Sequence, residues 1–327
     1  MNRFKTFAGM LLSASLFMTA GSAWSQAYPS KPIRAIVGYA AGGPVDVAMR
    51  AVGNDMSTRL GQPIVLDNKP GATGMIAFDM LRESPPDGYT VSPFATVTIV
   101  ASILAGKAVP NPASAFVPLG YIYEAGIAFS ANPASPHMAN VHTLKDLVAA
   151  ARANPGKIFF SSAGAGSSGH LVGSLLAYNN GVELIHVGHK GIAPATVDLM
   201  AGRIAFIMGS VVGDQQMVQE GKLRILATTA AARTDKYPNA PTMIESGFPD
   251  LVTTTWGGLI APAGTPKAIA DRLSAELKIA MEKQDVRRVV LTMSEPRSST
   301  AEEFQQRYLK DYDSFAKVIK AANIKVE

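Results

Sequence analysis

From Pro32 onward, short apolar runs alternate with stretches of 3.6-residue periodicity, and this alternation restricts the chain to parallel βα units. "PIRAIVGY" reads as a first strand, and the glycine turn "AAGGPVD" follows it. Val45, Ala48, Met49, Val52, Met56 and Leu60 then recur at helical spacing until Gly61 stops them. "PIVLDN" is a second strand, "PGATGMIAFDML" a turn entering a helix, and "PPDGYTVSPFA" a turn entering a strand. The second half repeats the grammar. Thr143 caps a helix that carries Asp146 in its first turn and ends at Asn154-Pro155-Gly156. "KIFFSS", "ELIHV", "RIAFIM" and "KLRILATT" read as four strands, with helices starting near Ser167, Pro194 and Gly213 between them. Two long amphipathic helices close the chain. One starts at Thr265-Pro266, with Ile269, Leu273 and Leu277 on one face. The other starts at Ser299-Thr300, with Glu303 as capping-box partner and Phe304, Tyr308, Tyr312, Phe315 and Ile319 as its stripe. The expected fold class is α/β.

The first 27 residues stand outside this pattern. Arg3 and Lys5 precede the uncharged run "FAGMLLSASLFMTA", and Ser25 and Ala27 are small residues at cleavage-compatible positions. This is the pattern of a secretory signal peptide, too short and wrongly flanked for a spanning helix. Cleavage after Ala27, with Ala23 as the lesser alternative, leaves 300 residues from Tyr28, which suits two domains of ordinary size. No low-complexity linker is visible, so strands that cross between the domains are the expected join. "GIAFSAN" and "TTWGGLIAP" are the candidates. The absence of cysteine excludes disulfides, thiol nucleophiles and cysteine metal sites together, and leaves buried apolar surface to hold the fold. The formal charge of +5 falls to +3 without Arg3 and Lys5. No dense Lys/Arg stripe is present, so nucleic-acid binding has no support.

"KIFFSSAGAGSSGHLVGSLL" contains a literal G-x-G-x-x-G at Gly164, Gly166 and Gly169. As a dinucleotide fingerprint it needs an acid about 20 residues on, at the end of the next strand. Glu183 begins that strand instead, and an exported chain is a poor home for a nucleotide cofactor. A serine hydrolase would use Ser167 or Ser168 with a histidine, but there is no G-x-S-x-G. His186 and His189 are three apart on a strand and its end, which tends to put them on opposite faces, so a metal site is unsupported. What remains is a glycine turn opening a helix, which presents backbone N–H groups at the positive end of the dipole. Such a turn binds phosphate or carboxylate without a basic side chain. The chain has the device twice, at "AAGGPVD" and at "SSAGAGSSG". Two such turns, one per domain, suit a small organic acid. Asp46 is either a ligand contact or only an acid complementing the helix dipole.

The segments "PIRAIVGYAAGGPVDV", "LGQPIVLDNKPGATG", "PPDGYT", "NPGK", "GAGSSGH", "HKGIAPATVDLMAGRI", "GKLRILA" and "GLIAPAGTP" occur in that order. Together they resemble the Bug-type (TctC-like) extracytoplasmic solute receptors of tripartite tricarboxylate transporters, over essentially the whole mature chain. The resemblance implies a two-domain, Venus-flytrap periplasmic binding protein, not an enzyme and without a cofactor, acting as a monomer. Residues 28–128 with 258–327 are expected to form domain 1, and residues 129–257 domain 2. The implied ligand is a small organic acid, either a di- or tricarboxylate or an aromatic carboxylate. The implied partners are the membrane components of such a transporter or a sensor kinase.

Carried over by this resemblance, the first gripping turn comprises Tyr39, Ala41, Gly42, Gly43 and Asp46. The opposing turn comprises Ser162, Gly164, Ala165, Gly166 and Ser167, with His170 just beyond. A third segment supplies His189, Lys190 and Gly191, with Lys190 as either contact or surface residue. Gly209 counts to the site, although relatives often place an aspartate there. The missing acid argues against an amino-acid ligand. Trp256 either lines the cleft or is plain packing. The rival reading is an exported serine hydrolase built on Ser167 or Ser168.

Overall fold

The computed structural model describes residues 28–321, apart from 105, 107–113, 190, 211–214, 234–236 and 293. Residues 1–27, read above as a signal peptide with cleavage after Ala27 or Ala23, lie outside the described residues. One continuous path of paired strands runs through two lobes. In the first lobe β1 (Ile33–Val37) pairs in parallel with β2 (Ile64–Asn68) and β3 (Thr90–Ala95). β9 (Thr254–Pro262) then pairs antiparallel with both β3 and β4 (Phe116–Ala131).

β4 changes neighbours midway. Up to Gly126 it pairs with β9, and from Ile127 it pairs with β7 (Phe206–Ser210), with β8 (Arg224–Thr228) joining from Ala128. β5 (Phe159–Ser162) and β6 (Ile185–Val187) complete the second lobe in parallel with β7. β10 (Glu295–Pro296) adds to the first-lobe half of β4. The crossing expected at "GIAFSAN" is therefore the tail of a single 16-residue strand.

The expected helices are present, with α1 at Pro44–Leu60 and α2 at Met75–Arg82. The second lobe carries α4 (Leu144–Ala153), α5 (Ser168–Asn180), α6 (Ile192–Met200) and α7 (Gln215–Gln219). The closing helices are α8 (Lys267–Glu282) and α10 (Ala301–Ala321). Thr143 and Asp146 form a reciprocal capping box, as do Thr300 and Glu303. The sequence pattern did not delimit α3 (Thr96–Leu104) or α9 (Gln284–Leu291). In α3 almost every residue is apolar or a small hydroxyl residue, so no polar face marks its period.

Each lobe buries apolar side chains on both faces of its sheet. In the first, Met49, Val52 and Met56 of α1 meet Leu273, Leu277 and Met281 of α8 on one face. On the other, Phe78, Phe94, Trp256, Phe304 and Tyr308 form an aromatic core. In the second lobe Phe129, Phe160 and Phe206 stack across neighbouring strands. Among the described residues no helix is long and apolar enough to cross a membrane.

Candidate functional site

The first glycine turn connects β1 to α1. Gly42 takes φ +75°, a conformation that favours glycine, and Gly43 is the N-cap without a side chain to cap the helix. Pro44 has no N–H, so the N–H groups of Val45 and Asp46 open the helix, unclaimed by other described residues. The Asp46 carboxylate does not face outward. It is buried, and it accepts from Gly42 N–H (2.9 Å), from Arg50 (2.8 and 3.0 Å) and from Asn68 Nδ2 (2.9 Å). Burial alone pushes this carboxyl up, but Arg50, the Gly42 N–H and Asn68 outweigh it and hold it below the usual carboxylate range. Asp46 thus braces the turn from behind. Asp46→Ala is expected to cost about 1–2 kcal/mol through the lost bonds to Gly42 N–H and half-buried Asn68, with little from solvent-exposed Arg50. Urea denaturation checks the value, and an unchanged midpoint would contradict the bracing role.

The second turn connects β5 to α5. Gly164 (φ +139°) and Gly166 (φ +74°) shape it, and Ser167 is the N-cap, accepting from His170 N–H at 3.3 Å. The Ser167 hydroxyl donates to Ser162 Oγ (2.7 Å), and Ser162 Oγ lies 2.9 Å from His186 Nε2. Gly166 N–H donates to His170 Nδ1 (3.1 Å), which requires a neutral ring. The imidazoles of His170 and His186 stack at 3.8 Å. Burial, then the neighbouring His170 and His189, lower His186 to about 3, and burial lowers His170 too. His189 sits between Ser161 Oγ (2.8 Å) and Asp198 Oδ2 (2.8 Å), so it also braces. The N–H groups of Ser168 and Gly169 make no bond to other described residues, and the Ser168 hydroxyl is buried without a partner.

This histidine stack has a consequence for acid stability. Below the ordinary histidine value of 6.5, the unfolded chain binds protons at 170 and 186 that the folded turn resists. Stability is therefore complete above about pH 6.5 and declines as pH falls from there toward 3. The slope is at most ~1.4 kcal/mol per pH unit per ring, reduced because both rings are partly exposed. His186→Gln is expected to flatten the fall of the urea midpoint between pH 6.5 and 4.5; an unchanged slope would contradict the assignment.

Both turns reach one cleft of about 330 Å³ between the lobes. Four helices begin at it: α1 at Val45, α3 at Thr96 and Val97, α5 at Ser168 and Gly169, and α6 at Ile192. Tyr39, Tyr123, Met208, Gly209 and Trp256 complete much of the wall. No described lining residue carries a charged side chain. A larger cavity of about 450 Å³, lined by Val218, Leu223 and Tyr237 among others, touches neither turn.

Of the residues expected at the site, Tyr39, Ser167 and Gly209 line the cleft directly. Ala41, Gly42 and Gly43 form the first turn, and Gly164, Ala165 and Gly166 the second. Gly191 (φ +111°) is the N-cap of α6. Asp46, Ser162, His170 and His189 stand behind the turns as braces, and Lys190 lies outside the described residues. Trp256 does both things left open for it: it lines the cleft and is fully buried. Sequence reasoning missed the α3 start at Thr96, where no glycine marks the turn; a threonine directly after a strand was the available signal.

The hydrolase geometry is not assembled at the expected serines. Ser167 bonds to Ser162 and to a backbone N–H, and Ser168 has no histidine ring nitrogen within bonding distance. Ser161, His189 and Asp198 are linked in the order of a triad, but Ser161 is fully buried and its hydroxyl also donates to Val187 O at 2.7 Å.

Residues 48–324 match the model of the tripartite tricarboxylate transporter family receptor, TctC. A protein encoded in the tcbD–tcbE intergenic region of a Pseudomonas species is 35% identical over 285 residues, covering 85% of this chain and 82% of that relative. The structure of the periplasmic binding protein BugD superposes with a TM-score of 0.74 at 28% identity, covering 92% of this chain and all of that one. Two Rhodopseudomonas palustris structures are similar as well. One was solved with adipate (TM-score 0.75, 28% identity, 91% and 99% covered) and one, MatC, with malate (TM-score 0.72, 25% identity, 89% and 100% covered). This chain belongs to the Bug-type, TctC-like receptor family of the tripartite tricarboxylate transporters.

Proposed function

We propose that the protein is an exported periplasmic receptor that captures a small carboxylate in the cleft and hands it to the membrane components of a tripartite tricarboxylate transporter. The observation that carries this reading is the convergence of four helix N-termini on a cleft with no charged side chain among its described lining. Unclaimed N–H groups at the positive ends of helices hold an anion without a cationic side chain. Inside a closed, water-poor cleft those bonds strengthen. Relatives solved with malate and adipate support a carboxylate as that anion.

Residues 28–128 with 258–327 and residues 129–257 are the lobes that close, as one monomer, around the ligand. The change of β4 partners between Gly126 and Ile127 supports the first boundary, whereas β9 pairs with first-lobe strands from Thr254 onward, which sets the second crossing a few residues earlier. The ligand is held by Ala41, Gly42 and Gly43 on one side and by Gly164, Ala165, Gly166 and Ser167 on the other. Residues 1–27 serve as the export signal, cut after Ala27. Purified protein starting at Tyr28 tests the reading by thermal denaturation with a carboxylate panel, NAD and ATP. A rise in Tm with at least one carboxylate is expected. A rise with NAD or ATP alone would overturn it.

A further inference from the structure

The cleft separates two kinds of surface. The donors lie at the helix starts, in the N–H groups of Val45, Asp46, Ser168 and Gly169 and the unpartnered Ser168 hydroxyl. The wall between them presents Tyr39, Val97, Tyr123, Ile127, Ile192 and Met208. Of the other hydroxyls near the wall, those of Ser167, Thr96 and Thr255 are spent within the protein, and those of Tyr123 and Ser294 are not. Ser167 donates to Ser162, Thr96 Oγ1 donates to Trp256 O and accepts from Trp256 N–H, and Thr255 donates to Ala125 O. The Tyr39 hydroxyl is buried and makes no bond to other described residues. No carboxylate or carboxamide side chain stands among the described lining residues to accept from a ligand. At Gly209, where a side chain would enter the cleft, Ile192 Cδ1 lies 3.1 Å from the position a Cβ would take.

We infer that the receptor selects carboxylates whose body between or beyond the acid groups is apolar, and rejects hydroxy acids and amino acids of the same skeleton. The inference rests on the carboxylate reading above and narrows it. The charge of the ligand is answered at the helix starts, so acid groups are accepted there. A hydroxyl or ammonium on the body is stripped of water against a wall that offers it no carboxylate or carboxamide and few hydroxyls. Such polar groups are rejected more strongly than a change of one methylene, because the lost bonds to water are not replaced. The saturated or aromatic equivalent instead gains contact with Val97, Ile192 and Tyr123.

Titration calorimetry on two matched pairs tests this: succinate against malate, and 3-phenylpropionate against phenylalanine. In any pair that binds, the unsubstituted acid is expected to bind on the order of ten times tighter than its partner. A ratio below threefold, or a reversed one, overturns the inference while leaving carboxylate binding intact. If no carboxylate of a wider panel binds, the carboxylate reading itself falls, and this inference with it. Val97→Thr keeps the volume and adds a hydroxyl at the wall. It is expected to narrow the ratio at least threefold, because the substituted acid gains a partner while the unsubstituted acid loses apolar contact. An unaltered ratio in this variant, with wild-type Tm, would remove Val97 from the proposed wall.

Discussion

Gly169→Ala is expected to destabilise the protein by about 2–3 kcal/mol and to weaken ligand binding at least about tenfold. Gly169 sits in the first turn of α5, where that helix rests on β7. A methyl group there would lie 2.5 Å from Met208 O, 2.8 Å from Met208 Cβ and 3.0 Å from Ser162 Cβ. The carbonyl belongs to a strand paired on both edges, with β4 and β5, so it has little freedom to yield. The start of α5 must move instead. That movement displaces the Ser168 and Gly169 N–H groups and the Ser167–Ser162 bond together. Gly53→Ala is the contrasting control. Its added methyl would meet Ile64 only at ordinary contact distances of 3.4–3.5 Å inside α1, so a gain of about 0.5–1 kcal/mol is expected. Urea melts and calorimetry on the two variants separate the cases, and wild-type affinity in Gly169→Ala would contradict the placement of the donors.

Asp311→Ala is expected to cost about 3 kcal/mol or more. Asp311 is buried on α10 and accepts from Trp256 Nε1 at 2.6 Å and from Arg307 Nε at 2.8 Å. Arg307 reaches onward to Glu124 on β4 (3.0 Å) and to Thr254 on β9 (2.7 Å). One network therefore ties α10 to both strands where the lobes meet. Removing Asp311 leaves a buried indole N–H without an acceptor and a largely buried guanidinium with half its compensation. Glu124 remains, which keeps the loss at the lower end of the range for a broken buried pair. Because Trp256 also lines the cleft, the same variant should weaken binding. In a chain starting at Tyr28, Trp256 is the sole tryptophan, so its fluorescence reports the change directly. Asp311→Asn keeps one acceptor and should fall between. A loss below 1 kcal/mol in Asp311→Ala would mean that the network is not what holds α10 to the crossing strands.

Much of the fold was legible because its elements obey local rules. Gly61 stops α1 with left-handed backbone, and Thr143 caps α4 through its side chain. The two glycine turns were legible for the same reason, since glycine and proline punctuate them. Non-local features were not. Nothing in "FVPLGYIYEAGIAFSA" announces that its two halves pair with different lobes, because partner choice is set by the whole sheet. The bracing roles of Asp46, His170 and His189 were equally hidden. Each depends on a partner brought in by folding, such as Asn68 to Asp46 and Asp198 to His189. A residue type that can bind a ligand can also hold the loop that does, and sequence alone does not separate the two. The apolar wall was invisible for a related reason: Val97, Tyr123 and Ile192 come from three distant segments.

The central claim is that the two glycine turns hold an acid group across the cleft. A crystal structure with the tightest-binding carboxylate tests it most directly. The expected result is an acid group between Gly43 and Gly166, within bonding distance of N–H groups at the starts of α1 and α5, with the ligand body against Val97 and Ile192. An acid group bound in another cavity, or pointing away from both turns, would contradict the account.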